Sequence, residues 1–110
     1  MNNNIFKQSL FLVVLTYKVS LEKIELFKSE HIDFLETYYA KNCFLLSGPQ
    51  VPRNGGLILA QCDSKDSLYK ILKQDPFAIN NLATYEIIEF SPTKFSKLFN
   101  SLLQGKSQDE

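Results

Sequence analysis

The chain has 110 residues, 45% hydrophobic and 13% aromatic, which suits one domain with one core and excludes a disordered chain. Twelve basic and twelve acidic side chains cancel, so we expect no broad positive field and no nucleic-acid partner. The two cysteines form no CxxC motif and only one histidine accompanies them, which predicts free thiols and no structural zinc site.

The first predicted strand is the apolar run from Leu10 to Tyr17, which follows a polar start (residues 1–9) that we expect to be flexible. Both alternating sets of its side chains are apolar, which is typical of a strand buried on two faces. The run is far shorter than the roughly 20 residues that span a bilayer, and no small-residue cleavage pattern follows it. We therefore expect a cytoplasmic protein with no membrane partner.

The next element is an amphipathic helix, which Ser20 can cap and which we expect to run to about Lys41. At 100° per residue, one stripe of this helix faces the core. The stripe contains Ile24, Phe27, His31, Phe34, Leu35 and Tyr38. His31, the only histidine of the chain, lies near its middle rather than at its edge.

The remaining elements follow from turn signals and apolar runs. In order they are a strand at 43–47, the turn-rich loop GPQVPRNGG, a strand at 56–61, a helix capped by Asp63 or Ser64 that stops at Asp75-Pro76, a helical turn through PFAIN, a strand at 85–90 and a weak helix within SPTKFSKLFNSLL. We assign residues 10–97 to a single domain and residues 98–110 to the end of the last helix and a tail.

The order β-α-β-β-α-β predicts an α+β protein with the ferredoxin-like plan, in which two helices cover one face of a four-stranded antiparallel sheet. The other face of the sheet stays uncovered, although its strands are apolar there too. Such a face would be a large exposed patch, so we predict a homodimer in which two sheets pack face to face.

Two polar residues interrupt the apolar stripes of the two helices, His31 on the first and Asp75 at the end of the second. Both helices pack on the same sheet face, so the two side chains can converge, and each needs a partner there. A paired carboxylate would fix the imidazole tautomer and favour its protonated form. Simpler alternatives are a core histidine with one hydrogen bond and an aspartate that only caps the turn PFAIN; a carboxylate can cap and pair at once.

The loop after the second strand offers further candidates for binding. Ser47 and Gly48 close that strand, and a glycine lets a ligand approach backbone amides. Arg53 could hold a carboxylate, or it could be an ordinary solvated loop arginine. The run Asn54-Gly55-Gly56 is typical of a turn rather than a phosphate site, because no helix follows it.

Taken as a set, five pieces of the chain resemble the YciI-like (YCII-related) family of small dimeric α+β barrel proteins. They are FLVVLTYK, EHIDFL, LLSGPQVPRNGGLILA, DPF and YEIIEFSPTKF, which together span roughly residues 10 to 95. The resemblance implies a His–Asp pair at an active site, carried here by His31 and Asp75. It also implies a neighbouring pocket bordered by Ser47, Gly48 and Pro49. Related barrels, such as muconolactone isomerases and small cofactor-free monooxygenases, take compact aromatic or lactone-like molecules.

These observations favour an enzyme that acts on a small organic molecule without a cofactor. His31 would move a proton and Asp75 would orient it, in an isomerisation or an elimination of the lyase type. The Ser47 hydroxyl or the Gly48 amide could hold an oxyanion. The alternatives are a module that binds a metabolite without converting it, and a dimeric scaffold in which the pair is a buried tether.

Overall fold

A computed structural model describes residues 9–99 and 101 of the chain. The predicted flexible start and the predicted tail lie outside the described residues, apart from their inner edges. The predicted C-terminal helix is described only in part, as helical residues at 97–99 and 101.

The sheet contains four antiparallel strands in the order β2-β3-β1-β4. Their bounds are β1 Leu10–Tyr17, β2 Phe44–Pro49, β3 Gly55–Gln61 and β4 Ala83–Phe90. The first strand has its predicted bounds, whereas the other three are extended or shifted at their ends by one or two residues. Because the central strands β1 and β3 pair directly, the chain has the ferredoxin-like α+β fold that the element order predicts.

Four helices connect these strands: α1 Leu21–Leu26, α2 Lys28–Ala40, α3 Lys65–Leu72 and α4 Pro76–Ile79. The Ser20 hydroxyl accepts a hydrogen bond from the amide of Lys23, which confirms the predicted cap. The cap of α3 is Ser64 rather than Asp63.

The single predicted first helix is in fact two, because Phe27 leaves the helical conformation at φ −112° and ψ 6°. The break is one residue long, and the hydrogen-bonded turns resume when the amide of His31 donates to the carbonyl of Phe27 at 3.0 Å. Neither glycine nor proline marks the position, so the amphipathic pattern runs through it unchanged.

The core lies between one face of the sheet and the helices. From the strands it contains Phe11, Val13, Leu15, Phe44, Ile58, Ala60 and Ile87, and from the helices Ile24, Phe34, Tyr38, Leu68, Leu72 and Phe77. We expected β1 to be buried on both faces, but within one chain it is buried only on the face that contacts the helices. Leu12 and Val14 on the opposite face are half-buried.

A close approach of two strands requires glycine at position 55. A Cβ atom added to Gly55 would lie 1.8 Å from the carbonyl oxygen of Leu15, which is far inside van der Waals contact. Gly48 differs, because an added Cβ there would meet no heavy atom within 4 Å. Gly55 therefore lets the end of the GPQVPRNGG loop pack closely against β1, where the amide of Tyr17 donates to the carbonyl of Asn54.

Candidate active site

His31 lies in the first turn of α2, where the turn that follows Phe27 directs it toward the sheet. Its side chain is 15% exposed. One face of the imidazole stacks on the Phe77 ring, with centroids 4.1 Å apart and planes within 5° of parallel. This packing fixes the plane of the ring and leaves its two nitrogens to hydrogen bonding.

Asp75 reaches His31 from the turn between α3 and α4. Its backbone is extended before Pro76, at φ −66° and ψ 128°, because a residue that precedes proline is disfavoured in the helical region. Oδ1 accepts from the amide of Phe77 at 3.0 Å, as the N-cap of α4, and lies 2.8 Å from Nδ1 of His31. Asp75 is fully buried, so the carboxylate both caps the helix and pairs with the imidazole.

A third partner of this carboxylate, Tyr85 on β4, was not singled out in the sequence. Its hydroxyl donates to Oδ2 of Asp75 at 2.6 Å. Burial, together with the negative charge of Asp75 and the hydrogen bond to it, raises the pKa of the Tyr85 phenol well above its usual range. Tyr85 therefore stays protonated and acts as a donor. Its core-facing position beside Ile87 was a usable signal, because a buried tyrosine hydroxyl needs a partner.

These contacts determine which nitrogen of the imidazole remains available. An ionised carboxylate can only accept hydrogen bonds, so Nδ1 of His31 carries the hydrogen that faces Asp75. Nε2 has no hydrogen-bond partner among residues 9–99 and 101, and His31 lines a cavity. The neutral imidazole thus offers a bare lone pair at Nε2.

The cavity has a volume of about 340 Å³, at the lower end of the range for small-molecule sites. It lies between α2 and the ends of β1, β2 and β3. Its lining consists of Leu15, Tyr17, Lys28, His31, Ile32, Leu35, Ser47, Gly48, Pro49, Arg53, Gly56, Leu57, Ile58 and Phe77. Most of this wall is apolar, with a few polar groups among the aliphatic side chains.

The structure brings five of the six predicted site residues to this cavity and places the sixth, Asp75, directly behind His31. Ser47 presents a hydroxyl that is 2.5 Å from the hydroxyl of Tyr39 on α2. If Tyr39 donates in that pair, the Ser47 proton is free to bind a ligand oxygen. Tyr39 is a second residue that the sequence did not indicate.

Arg53 lines the cavity but is not free. Nη1 of Arg53 lies 2.8 Å from Oε2 of Glu25, and the guanidinium lies over the Tyr17 ring at 6.0 Å from its centroid. The hydrogen bond to Arg53 lowers the pKa of Glu25, and the same bond raises the pKa of Arg53. Arg53 therefore holds a carboxylate of its own chain rather than being an ordinary solvated arginine, and its role in binding a ligand stays a prediction.

No group of three or more His, Cys, Asp or Glu side chains is close enough to hold a metal ion within residues 9–99 and 101. Over the same residues, no helix has the length and apolar character needed to cross a bilayer.

The amino-acid sequence defines the protein family to which the chain belongs. The sequence pattern of the YCII-related domain matches residues 10–91, and the chain belongs to this family. No curated protein sequence matches the chain.

Among solved structures, the chain is similar to 5-chloro-2-hydroxyhydroquinone dehydrochlorinase (TftG) from Burkholderia phenoliruptrix AC1100, in complex with 2,5-dihydroxybenzoquinone. The TM-score is 0.65 at 18% identity, and the match covers 81% of this chain and 97% of the other. At this identity the likeness shows a shared fold.

Proposed function

We propose that this protein is a small-molecule enzyme in which His31 transfers a proton to or from a substrate bound in the cavity. The observation that carries the proposal is the arrangement of one imidazole with Nδ1 on a buried carboxylate at 2.8 Å and its ring at the wall of a 340 Å³ cavity. A paired ionisable group at a cavity is a candidate site for acid–base chemistry.

In the proposed reaction, Nε2 of His31 takes a proton from the substrate and becomes part of an imidazolium. Asp75 remains ionised and stabilises that charge, while Tyr85 and the amide of Phe77 hold the carboxylate in place. In an isomerisation the same nitrogen returns the proton to another atom of the substrate. In an elimination the electron pair of the broken bond expels a leaving group instead. General acid–base help of this kind typically contributes about 10²–10⁴ in rate.

The remaining predicted residues would bind the substrate. The Ser47 hydroxyl would hold an oxygen that gains negative charge, and Gly48 and Pro49 would border the bound substrate. The similar dehydrochlorinase supports a compact cyclic substrate and a lyase-type step, since its name describes an elimination and its structure contains a benzoquinone. No step in this scheme needs a cofactor.

We further propose that the enzyme is a cytoplasmic homodimer. The sheet face that the helices leave uncovered is apolar: Leu12 faces Leu59 and Ile88 on its two neighbouring strands, and Ile88 and Phe90 are 45% and 43% exposed. A second copy packed on this face would cover it. The free thiols of Cys43 and Cys62 favour a reducing compartment.

Hydrogen–deuterium exchange tests the proton-transfer proposal directly, because exchange requires only the first proton transfer and not the complete reaction. A panel of small enolisable lactones, hydroxyquinones and phenols is incubated with the protein in D₂O, and loss of C–H signals is followed by proton NMR. For at least one compound that binds, the intact protein should exchange or convert it about 10²–10⁴ times faster than the His31→Gln variant.

The control variant is Glu36→Gln, which changes an exposed residue of the same helix and should leave the rate unchanged. Equal rates for the intact protein and His31→Gln with every bound compound would overturn the proposal. Binding without any exchange would favour the metabolite-binding alternative.

A further inference from the structure

The charged groups at the cavity have a single sign. Its lining includes the two cations Lys28 and Arg53 and contains no aspartate or glutamate. Asp75 lies fully buried behind His31 and is not part of the wall. The cavity wall therefore has a local excess of cations in a chain whose formal net charge is zero.

One carboxylate outside the wall is turned toward both cations. Oε2 of Glu25 lies 2.8 Å from Arg53, and Oε1 of the same side chain lies 4.0 Å from Lys28. Glu25 is not part of the wall, and its carboxylate already pairs with the two wall cations as the carboxylate of a ligand would. The two partners are 46% and 33% exposed for Glu25 and Arg53, and exposed ion pairs contribute little to stability, so a ligand can displace Glu25.

Arg53 can change partners without losing its place. The Tyr17 ring lies beneath the guanidinium, and Tyr17 also lines the cavity. A guanidinium held against an aromatic ring keeps its planar fork available for a carboxylate or a phenolate. The uncharged body of the ligand needs an apolar surface, which Ile32, Leu35 and Phe77 provide.

We propose that the cavity selects a compact, flat organic anion, a carboxylate or phenolate of about one ring, whose charge replaces Glu25 on Arg53 and Lys28. This inference rests on the proposed function, since it names the substrate class of the same site. Glu25 acts as an internal competitor that keeps the cations paired while the cavity is empty.

Benzoate and benzamide test the proposal, because they have nearly the same shape and differ by one charge. Binding is followed by NMR through the ring signals of His31, the only histidine of the chain. We expect benzoate to bind at least about tenfold more tightly than benzamide at low salt, and the advantage to shrink at high salt. Equal affinities, or no benzoate binding at millimolar concentration, would overturn the proposal.

Two variants separate the roles of the charged residues. Arg53→Gln should weaken benzoate binding about tenfold and leave benzamide binding unchanged, whereas Glu25→Gln should strengthen benzoate binding several-fold by removing the competitor. The matched control is Lys70→Gln on the exposed face of α3, which should change neither affinity. Weaker benzoate binding in Glu25→Gln would show that Glu25 positions Arg53 for the ligand and would contradict the competition.

The result is distinguishable from a failure of the proposed function. Selective benzoate binding with no His31-dependent exchange on any anion would support the anion site and overturn the proton transfer. His31-dependent exchange confined to neutral compounds would support the proton transfer and overturn the anion site.

Discussion

Tyr85→Phe isolates the hydrogen bond that supports the buried carboxylate, because it removes one hydroxyl and keeps the ring. Oδ2 of Asp75 accepts from that hydroxyl at 2.6 Å, and Asp75 has no solvent exposure, so water does not replace the lost donor. A hydrogen bond to a charged group contributes about 1.5–3 kcal/mol. We therefore expect the free energy of unfolding to fall by about 1.5–3 kcal/mol.

Urea denaturation at neutral pH and fixed protein concentration measures this loss as a lower midpoint with an unchanged slope. A chain of 110 residues unfolds with an entropy of about 0.23 kcal/mol/K, so the Tm should fall by about 6–13 °C. The matched control is Tyr69→Phe on α3. Tyr69 is 38% exposed, and its substitution should change the free energy of unfolding by less than about 0.5 kcal/mol.

Alkaline pH gives the same variant a second readout, which follows from the raised pKa of Tyr85. The unfolded phenol ionises near 10.0, whereas the folded phenol stays protonated. Above that pH the unfolded state binds fewer protons than the folded state, so this contribution is fully present below about pH 10 and declines as the pH rises. The loss is at most about 1.4 kcal/mol per pH unit for one proton, and Tyr85→Phe lacks it.

Two results together would refute this reasoning. One is a loss of less than about 0.5 kcal/mol in Tyr85→Phe at neutral pH, the range of ordinary surface changes. The other is a stability difference from the intact protein that does not narrow as the pH is raised above about 10. The hydroxyl would then not donate to a buried charge, and the support of Asp75 would have to come from His31 and the α4 amide alone.

Three further predictions concern the core of the site and the sheet. Gly55→Ala should lower the free energy of unfolding by about 1–3 kcal/mol or more in urea denaturation, because its Cβ would collide with the Leu15 carbonyl. Gly48→Ala is the control and should change the free energy of unfolding by less than about 0.5 kcal/mol. Equal effects of the two substitutions would contradict the close approach at Gly55. Asp75→Asn should keep the α4 cap and the Nδ1–H tautomer of the histidine, because the Phe77 amide can only donate and so holds the asparagine oxygen toward it. The variant should nevertheless lower any His31-dependent exchange rate at least about tenfold. An unchanged rate would show that the negative charge of Asp75 does not contribute to proton transfer. Phe90→Glu should convert the proposed dimer to a monomer in light scattering, since it places a charge on the exposed apolar face. A dimer of unchanged stability would locate the interface elsewhere.

The meeting of His31 and Asp75 could be predicted because it depends on topology. Each residue interrupts an apolar stripe, both stripes face the same side of one sheet, and a polar group in such a place needs a partner. The ferredoxin-like order follows equally from the number and sequence of the elements. Both predictions stay the same when the bounds of a strand or helix are wrong by one or two residues.

The details that the sequence did not reveal depend on register and on side-chain rotamers. Tyr85 reaches Asp75 only because β4 places its inward residues beside the N-terminus of α4, and an alternating pattern does not show how far a side chain reaches. The partner of Arg53 is Glu25 on α1, and nothing in the sequence of the loop indicates that pairing. The break at Phe27 likewise has no local residue signal.

Nitrogen-15 NMR of the imidazole is the most direct measurement, because the chain contains a single histidine and its two ring nitrogens can be assigned without ambiguity. For the neutral ring the account predicts a hydrogen on Nδ1, strongly shifted by its bond to Asp75, and a bare Nε2 whose resonance moves when benzoate or another cavity ligand is added. A hydrogen on Nε2 in the neutral ring, or an Nε2 resonance that ignores every ligand that binds, would contradict it.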